Sequence, residues 1–273
     1  MHICHVITRL IIGGAQENTL LSCRGLAEKG HRVTLIAGPE TGPEGSLWDE
    51  AERGPYETIR LESLRRRIAP IDDVRAAVAL AKLFRRLRPD VVHTHSSKAG
   101  ILGRWAAARA RVPCVIHTIH GMSFNRTQPA PVRALYRFLE RRAARWTCRF
   151  VTVADAMIDQ AVAARIAPRE RFVTIRSGME TDRFAPDPQA RRRVRQAWGL
   201  SDDHVVVGTV ARLFRNKGYE EILDALPRIA RENPHVRFVW VGNGKDRRRY
   251  EARLRSLGLR ERVILTGLVP PAE

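Results

Sequence analysis

Apolar positions along the chain fall into two alternating spacings. Short runs such as HICHVI, RVTLIAG, YETIRL, DVVHTH, CVIHTIH, RFVTVA and RFVTIR suit strands. Between them lie longer stretches whose apolar residues recur three and four apart, the spacing of one helix face. These are AQENTLLSCRGLAEKG, SLWDEAER, DDVRAAVALAKLFRRLR, KAGILGRWAAARAR, RALYRFLERRAARW and DAMIDQAVAARI. Gly30 closes the first of these helices, and Pro89 ends the one that begins with two aspartates and finishes on arginines. Strand–helix alternation of this kind predicts an α/β fold, a parallel sheet with helices on both faces and right-handed crossovers. It fills residues 1–180, a normal domain size.

The pattern breaks at SGMETDRFAPDPQARRRVRQAWGLSDDH, which is polar, basic and proline-containing. Residues 181–203 read as a linker and a short helix. From 204 the alternation restarts with HVVVGTVAR, a helix after Lys217, VRFVWVGNG, the helix DRRRYEARLRSLG, and RVILTGLVP. An open parallel sheet usually needs more strands than these to cover both faces. Residues 204–273 therefore read as the first part of a second Rossmann-like domain.

Composition adds constraints on partners. The chain has 273 residues, 44% of them apolar, so a sizeable core is available. Lys plus Arg number 48 against 29 Asp plus Glu, a net charge of +19. The excess is mostly arginine in helical stretches such as LFRRLRP and LERRAARW. Solvated helix faces explain it, and so does attraction to anionic lipid, a phosphorylated substrate or nucleic acid. No basic tail, aromatic platform or nucleic-acid-binding motif accompanies the charge, so no nucleic-acid partner is expected. Cys4, Cys23, Cys114 and Cys148 form no CxxC pair, which argues against a disulfide framework or zinc knuckle and fits a reducing compartment. No apolar run approaches the ~18 residues of a membrane span. The start, MHICHVITRLIIGG, lacks a basic n-region and a cleavage site, so it reads as a first strand. The expected location is cytoplasmic, peripheral at the inner face of the cell membrane.

Candidate chemistry gathers at strand ends, where open α/β sheets bind ligands. Gly13 and Gly14 separate the first strand from the first helix, whose free N–H groups suit an anion. The spacing is not GxGxxG, so a dinucleotide site is not expected. His93 and His95 close one strand and His117 and His120 the next, so both pairs are expected to face one crevice. A metal would use such imidazoles, but no carboxylate ligand stands nearby and no metal is expected. Packing of one member of each pair against a helix is the plainer alternative. HSSKAG offers Ser96, Ser97 and Lys98 at a helix start, for a ligand or for ordinary serine capping. GTVARLFRNKG, residues 208–218, is the strongest signal. Arg212 and Lys217 stand between Gly208 and Gly218, after a strand and before a helix. An arginine fork and a lysine charge there suit a diphosphate leaving group, whose charge grows as the bond to a sugar breaks. A solvated loop with two surface cations is the plain alternative. VGNGKD, residues 241–246, and TGLVP, residues 266–270, repeat the strand-end glycine.

Taken in order, GGAQE, HTHSSKAGILGR, HTIHG, IRSGMETDRF, GTVARLFRNKG, VGNGKDR and TGLVP resemble the retaining glycosyltransferases of family 4 over nearly the whole chain. That family has two Rossmann-like domains facing across a cleft, the GT-B fold. The resemblance implies transfer of a sugar from a nucleotide-sugar donor to a polysaccharide or lipid-linked acceptor with retention of configuration. It implies that Gly13 and Gly14 approach the donor phosphates and that His120 contacts the donor sugar. Arg212 and Lys217 would hold the donor diphosphate, with Gly208 beside them. Gly242, Asn243, Gly244, Gly267 and Leu268 would form the nucleotide side, and His95, Ser96 and Lys98 the acceptor side. No cofactor or metal is implied, since Arg212 and Lys217 would do a cation's work. An anionic membrane surface is a further expected partner.

The chain also departs from the family. The hinge reads SGMET where relatives more often read NGVD, so Ser177 and Glu180 are atypical. Relatives continue past TGLVPPAE for roughly another hundred residues, by ordinary domain size. That part carries a glutamate-rich loop that grips the donor. The expectation is a chain truncated within its second domain, whether a fragment, a broken gene or one part of a split enzyme, with weak donor binding and little turnover. A non-catalytic module that binds nucleotide or a partner chain is the alternative. A sugar epimerase of the same fold is a further one, though its acid–base carboxylates are not evident.

Overall fold

The computed structural model describes residues 1–39 and 41–269. Glu40 in the GPETGPEG stretch and Pro270 of TGLVP lie outside the described residues. The chain divides into two compact units, Met1–Glu180 and Thr181–Glu273.

In the first unit, β1 (His2–Arg9), α1 (Gly14–Glu28), β2 (Arg32–Gly38), α2 (Trp48–Glu52) and β3 (Glu57–Arg60) build one half. The other half is α3 (Pro70–Leu87), β4 (Val91–His95), α4 (Ser97–Arg109), β5 (Cys114–Ile119), α5 (Ala130–Ala144), β6 (Arg149–Thr152), α6 (Asp155–Ala163) and β7 (Phe172–Thr174). The strands form a seven-stranded sheet in the order β3-β2-β1-β4-β5-β6-β7, every neighbouring pair parallel. The order reverses between β1 and β4. Outside the carboxyl ends of those two strands lies the topological switch point, where such sheets take ligands.

Residue alternation sorts the sheet into two faces. Cys4, Val6, Ile36 and Val92 pack with Leu80 and Phe84 of α3 and Ala99 and Ala106 of α4. Ile7, Val33, Leu35 and Ala37 pack on the other face with Leu20 and Cys23 of α1 and Trp48 of α2. Both faces are covered, which is why the strands read as nearly continuous apolar runs. Helix α3 carries Asp72 and Asp73 in its first turn and Arg85 and Arg86 in its last, complementing its dipole. Helix α5 starts earlier than its apolar spacing predicts. Pro131 sits inside its first turn, where a proline costs no hydrogen bond.

The second unit opens with α7 (Pro188–Ala197), capped by the Asp187 carboxylate on the backbone N–H groups of Gln189 and Ala190. β8 (Val205–Val210), α8 (Tyr219–Glu232), β9 (Val236–Val241), α9 (Arg247–Ser256) and β10 (Val263–Gly267) follow. Their three strands pair in parallel in the order β10-β9-β8. Tyr219, Leu223, Trp240, Tyr250 and Leu254 form the core beneath α8 and α9. This is an α/β, Rossmann-like arrangement in both units.

Candidate functional site

Histidines converge beside the switch point of the first unit. In the parallel register His5 of β1 lies opposite His93 of β4, and His95 opposite Thr118 of β5. Alternation then brings His5, His93 and His95 to one face. His5 Nδ1 lies 3.0 Å from His95 Nε2, and His95 Nδ1 lies 3.0 Å from His120 Nε2. His93 Nε2 bonds the Thr118 hydroxyl at 2.6 Å. Burial pushes His5 and His120 down to about 4. Burial first, and neighbouring imidazoles second, hold His93 and His95 well below the usual histidine range. The cluster is therefore neutral at pH 7. Nitrogens of His5, His93 and His95 all lie within 4.8 Å of one another, so among the described residues these three could hold a metal ion. His5 escaped the sequence reading, because the strand HICHVI shows its position but not its register against β4.

His117 does not join this group. Its ring lies on the opposite face, where Nδ1 meets the Thr94 hydroxyl at 2.9 Å and the ring packs under Gly100 of α4. Side-chain alternation along β5 thus turns His117 to the other face of the sheet from His93 and His95, although His117 and His120 line one cavity at the strand end. The plainer alternative, one member packed against a helix, holds for the second pair. His120, just past β5, opens on a cavity of about 230 Å³ lined also by Ser96, Ser97, His117, Met122, Ser123 and Glu140. Below it Arg104 of α4 donates to Glu140 of α5 at 2.6 Å, both side chains buried. Arg104 also donates to the Gly100 carbonyl at 2.8 Å.

Ser96 is not an ordinary cap. Its backbone has φ 61°, ψ 165°, a region that non-glycine residues seldom occupy. Its side chain makes no cap bond but meets the Thr8 hydroxyl at 2.8 Å, and Thr8 accepts from the Ala99 N–H at 3.2 Å. Thr8 of β1 thus does the capping of α4. Lys98 points elsewhere: its ammonium pairs with Asp73 of α3 at 2.5 Å and donates to the Arg67 carbonyl. It braces the segment after β3. Arg65, Arg66 and Arg67 of that segment join Arg9, Thr41 and Glu62 around an open cavity of about 790 Å³. Among the described residues, four arginines and one carboxylate line it. Gly13 precedes the first turn of α1 in an extended conformation, and nothing lies within 4 Å of where a side chain at Gly14 would begin. That turn has room for a ligand against its N–H groups.

In the second unit the strand-end loops brace one another. The Leu213 N–H donates to the Asn243 carbonyl at 3.1 Å, and the Tyr219 hydroxyl to the Ala211 carbonyl at 3.0 Å. Leu213 is fully buried, pinning the loop. Arg212, beside it, lies half-buried with its guanidinium 4.9 Å over the Phe214 ring, and Lys217 is exposed. Gly218 turns in the left-handed region at φ 80° to start α8. Gly208 lies within β8, with nothing within 4 Å of where its side chain would begin. Gly242 and Gly244 are explained by the chain itself. A side chain at Gly244 would begin 2.5 Å from the Leu213 carbonyl oxygen, and one at Gly242 would collide with the Ala211 carbonyl. The Gly242 N–H donates to the Gly267 carbonyl at 2.7 Å, joining the ends of β9 and β10, and the exposed Leu268 follows. Arg212, Lys217, Asn243 and Gly267 are therefore gathered on the carboxyl ends of one sheet.

Comparison with known proteins identifies the class. The model of the glycosyl transferase 4-like domain matches residues 13–178, and that of the glycosyl transferases group 1 matches residues 190–273. The chain belongs to the family-4-type glycosyltransferases and is a transferase of the GT-B fold class. It is 30% identical over 268 residues to the UDP-Gal:alpha-D-GlcNAc-diphosphoundecaprenol alpha-1,3-galactosyltransferase of Escherichia coli, covering 97% of this chain and 68% of that one. It is 28% identical to the putative glycosyltransferase EpsD of Bacillus subtilis, over 74% of this chain and 54% of that one. The chain thus spans about half to two thirds of such relatives. Among solved structures, Anabaena HepE in complex with UDP and glucose superposes with TM-score 0.78 at 18% identity, over 99% of this chain and 70% of that one. No helix of the described residues is long and apolar enough to cross a membrane.

Proposed function

We propose that the chain takes a sugar from a nucleotide-sugar, UDP-linked in the first instance, and transfers it with retention to a lipid-linked glycan acceptor. The observation that carries this reading is the braced loop at residues 211–218. It sets Arg212 and Lys217 at the carboxyl end of a parallel strand just ahead of a helix. An arginine fork matches two phosphate oxygens and a lysine adds a point charge. Both gain as the leaving diphosphate becomes more negative, so they favour the transition state over the ground state. Gly242, Asn243, Gly244, Gly267 and Leu268 take the nucleotide side of the second unit. In the first unit the Gly13–Gly14 turn offers N–H groups to phosphate, and neutral His120 hydrogen-bonds the sugar. His95 and Ser96 stand on the acceptor side, with Lys98 bracing the segment after β3.

The E. coli relative's name supports UDP and a diphospholipid acceptor, and the Anabaena structure supports UDP and a glucose-type sugar. A lipid-linked acceptor calls for work at a membrane face, and the exposed side of α5 suits it, with Leu135 and Phe138 beside Arg142. The reading needs no metal, because Arg212 and Lys217 supply the charge.

Thermal shift of the 273-residue chain against UDP, GDP, ADP and UDP-sugars tests the donor half. UDP and UDP-sugars are expected to stabilise it, with and without EDTA. Arg212→Ala is expected to weaken UDP about tenfold or more, the loss of a charge-assisted contact worth ~1.5–3 kcal/mol. No shift with any nucleotide, or an unchanged Kd in Arg212→Ala, would sink the reading.

A further inference from the structure

The histidine chain has a direction, and that direction decides what His120 can do. His5, His95 and His120 are joined by two N···N hydrogen bonds, His5 Nδ1 to His95 Nε2 and His95 Nδ1 to His120 Nε2, each 3.0 Å. Each N···N contact of 3.0 Å needs one donor and one acceptor, and above the ordinary imidazole value of about 6.5 each ring carries one N–H. One bond then needs one donor, and the two bonds must run the same way, because His95 has a single proton to give. Only two arrangements exist. In one, every ring is protonated at Nδ1, and donation runs outward from His5 to His120. In the other, every ring is protonated at Nε2, and donation runs inward.

The buried end separates them. His5 Nε2 is buried and has no hydrogen-bond partner among the described residues. The inward arrangement would strand an N–H there. The outward arrangement leaves only a lone pair without a donor. Buried backbone N–H groups are left orphaned more rarely than carbonyls are left under-satisfied, and the same preference is applied to the ring nitrogen. The orphan atom lies at the far end from His120, so a group deep in the sheet sets the proton at its edge.

We infer that His5 and His95 are positioning residues that fix His120 as the Nδ1–H tautomer, so that His120 faces its ligand as a hydrogen-bond donor. His120 accepts at Nε2 from His95, and its Nδ1 has no partner among the described residues. Nδ1–H is then the atom that remains for a sugar or phosphate oxygen. In this state His120 cannot accept a proton at Nδ1, so it orients and stabilises through donation and is not a general base there. His93 stands outside the chain: its Nε2 is engaged by Thr118. The functional part of this inference rests on the transferase reading, whereas the tautomer does not.

Two-bond proton–nitrogen correlation spectra of the ¹⁵N-histidine-labelled full chain at pH 7.5 read the tautomer directly, with His120 assigned by its loss in His120→Gln. The expected pattern is a pyrrole-type Nδ1 and a pyridine-type Nε2 for His120, and the same for His5 and His95. His95→Leu removes the donor, and the His120 signal should move toward the Nε2–H form. His95→Gln keeps an N–H for His120 Nε2 and should restore the parent pattern. A parent His120 protonated at Nε2 overturns the inference without any variant. A His120 pattern that His95→Leu leaves untouched overturns the role of His95. The spectra are recorded without ligand, so failure of nucleotide binding and failure of the tautomer show up separately.

Discussion

Arg104 and Glu140 illustrate how one buried pair governs its neighbourhood. They lie 36 positions apart, bonded at 2.6 Å, beneath the cavity that His120 opens on. Taking either charge out of water is costly, and the pairing offsets that cost only while both are present. Glu140→Ala leaves a buried guanidinium alone, and the expected loss of stability is about 3–5 kcal/mol. The double change Arg104→Met with Glu140→Leu removes both charges and is expected to regain most of it. Urea denaturation checks both. A single variant as stable as the parent would mean that the pair is hydrated in solution. The same scale separates two kinds of glycine. Gly242 and Gly244 are demanded by the carbonyls of the adjacent loop, whereas Gly14 has open space before it.

Helix α5 shows what an element adds to its residues. Its inner face holds Glu140, Ala143 and Ala144, while Leu135 and Phe138 are 53% and 55% exposed on the outside, with Val132 at 40%. Trp146 follows just past its end, and Arg141, Arg142 and Arg145 are exposed nearby. Apolar side chains with arginines beside them suit the boundary of an anionic bilayer. The chain is expected to sediment with phosphatidylglycerol vesicles and not with phosphatidylcholine vesicles. Leu135→Ser with Phe138→Ser should cut that binding about tenfold, and added salt should weaken the parent. Equal binding to both vesicle types would refute the assignment. Elements such as α5 were legible in the sequence because apolar periodicity is local. The reading of strand ends as ligand sites was legible for the same reason, whereas the switch point between β1 and β4 needed the strand order. What pairs across the sheet was not. His5 meets His95 only through the register of β1 on β4, and Thr8 caps a helix that begins 89 positions later. Lys98 looked free in HSSKAG, and only the fold of α3 beside α4 supplies its partner Asp73.

On the scale of the whole molecule, the buried imidazoles are expected to make the first unit the more acid-sensitive of the two. His5, His95 and His117 are almost fully buried in the first unit, whereas His204 and His235 of the second are more open. Burial lowers His5 from the ordinary value of 6.5 to about 4 in the folded chain. Between those values the unfolded chain binds a proton that the folded chain refuses. Stability therefore rises with pH across that window and is lost as pH falls through it, levelling once the folded ring also protonates near 4. For His5 alone the loss at pH 5 is about 2 kcal/mol. The neighbouring imidazoles act in the same direction, and because they touch they titrate as a group. Urea unfolding at pH 8, 7, 6 and 5, with pulse proteolysis to report each unit by its fragments, separates the contributions. The first unit's midpoint is expected to fall steadily below pH 6.5 while the second unit's moves much less. Replacing His5 with asparagine should flatten the first unit's slope even where it lowers stability at pH 8. Parallel loss in both units would overturn the claim that the buried imidazoles of the first unit set its acid sensitivity.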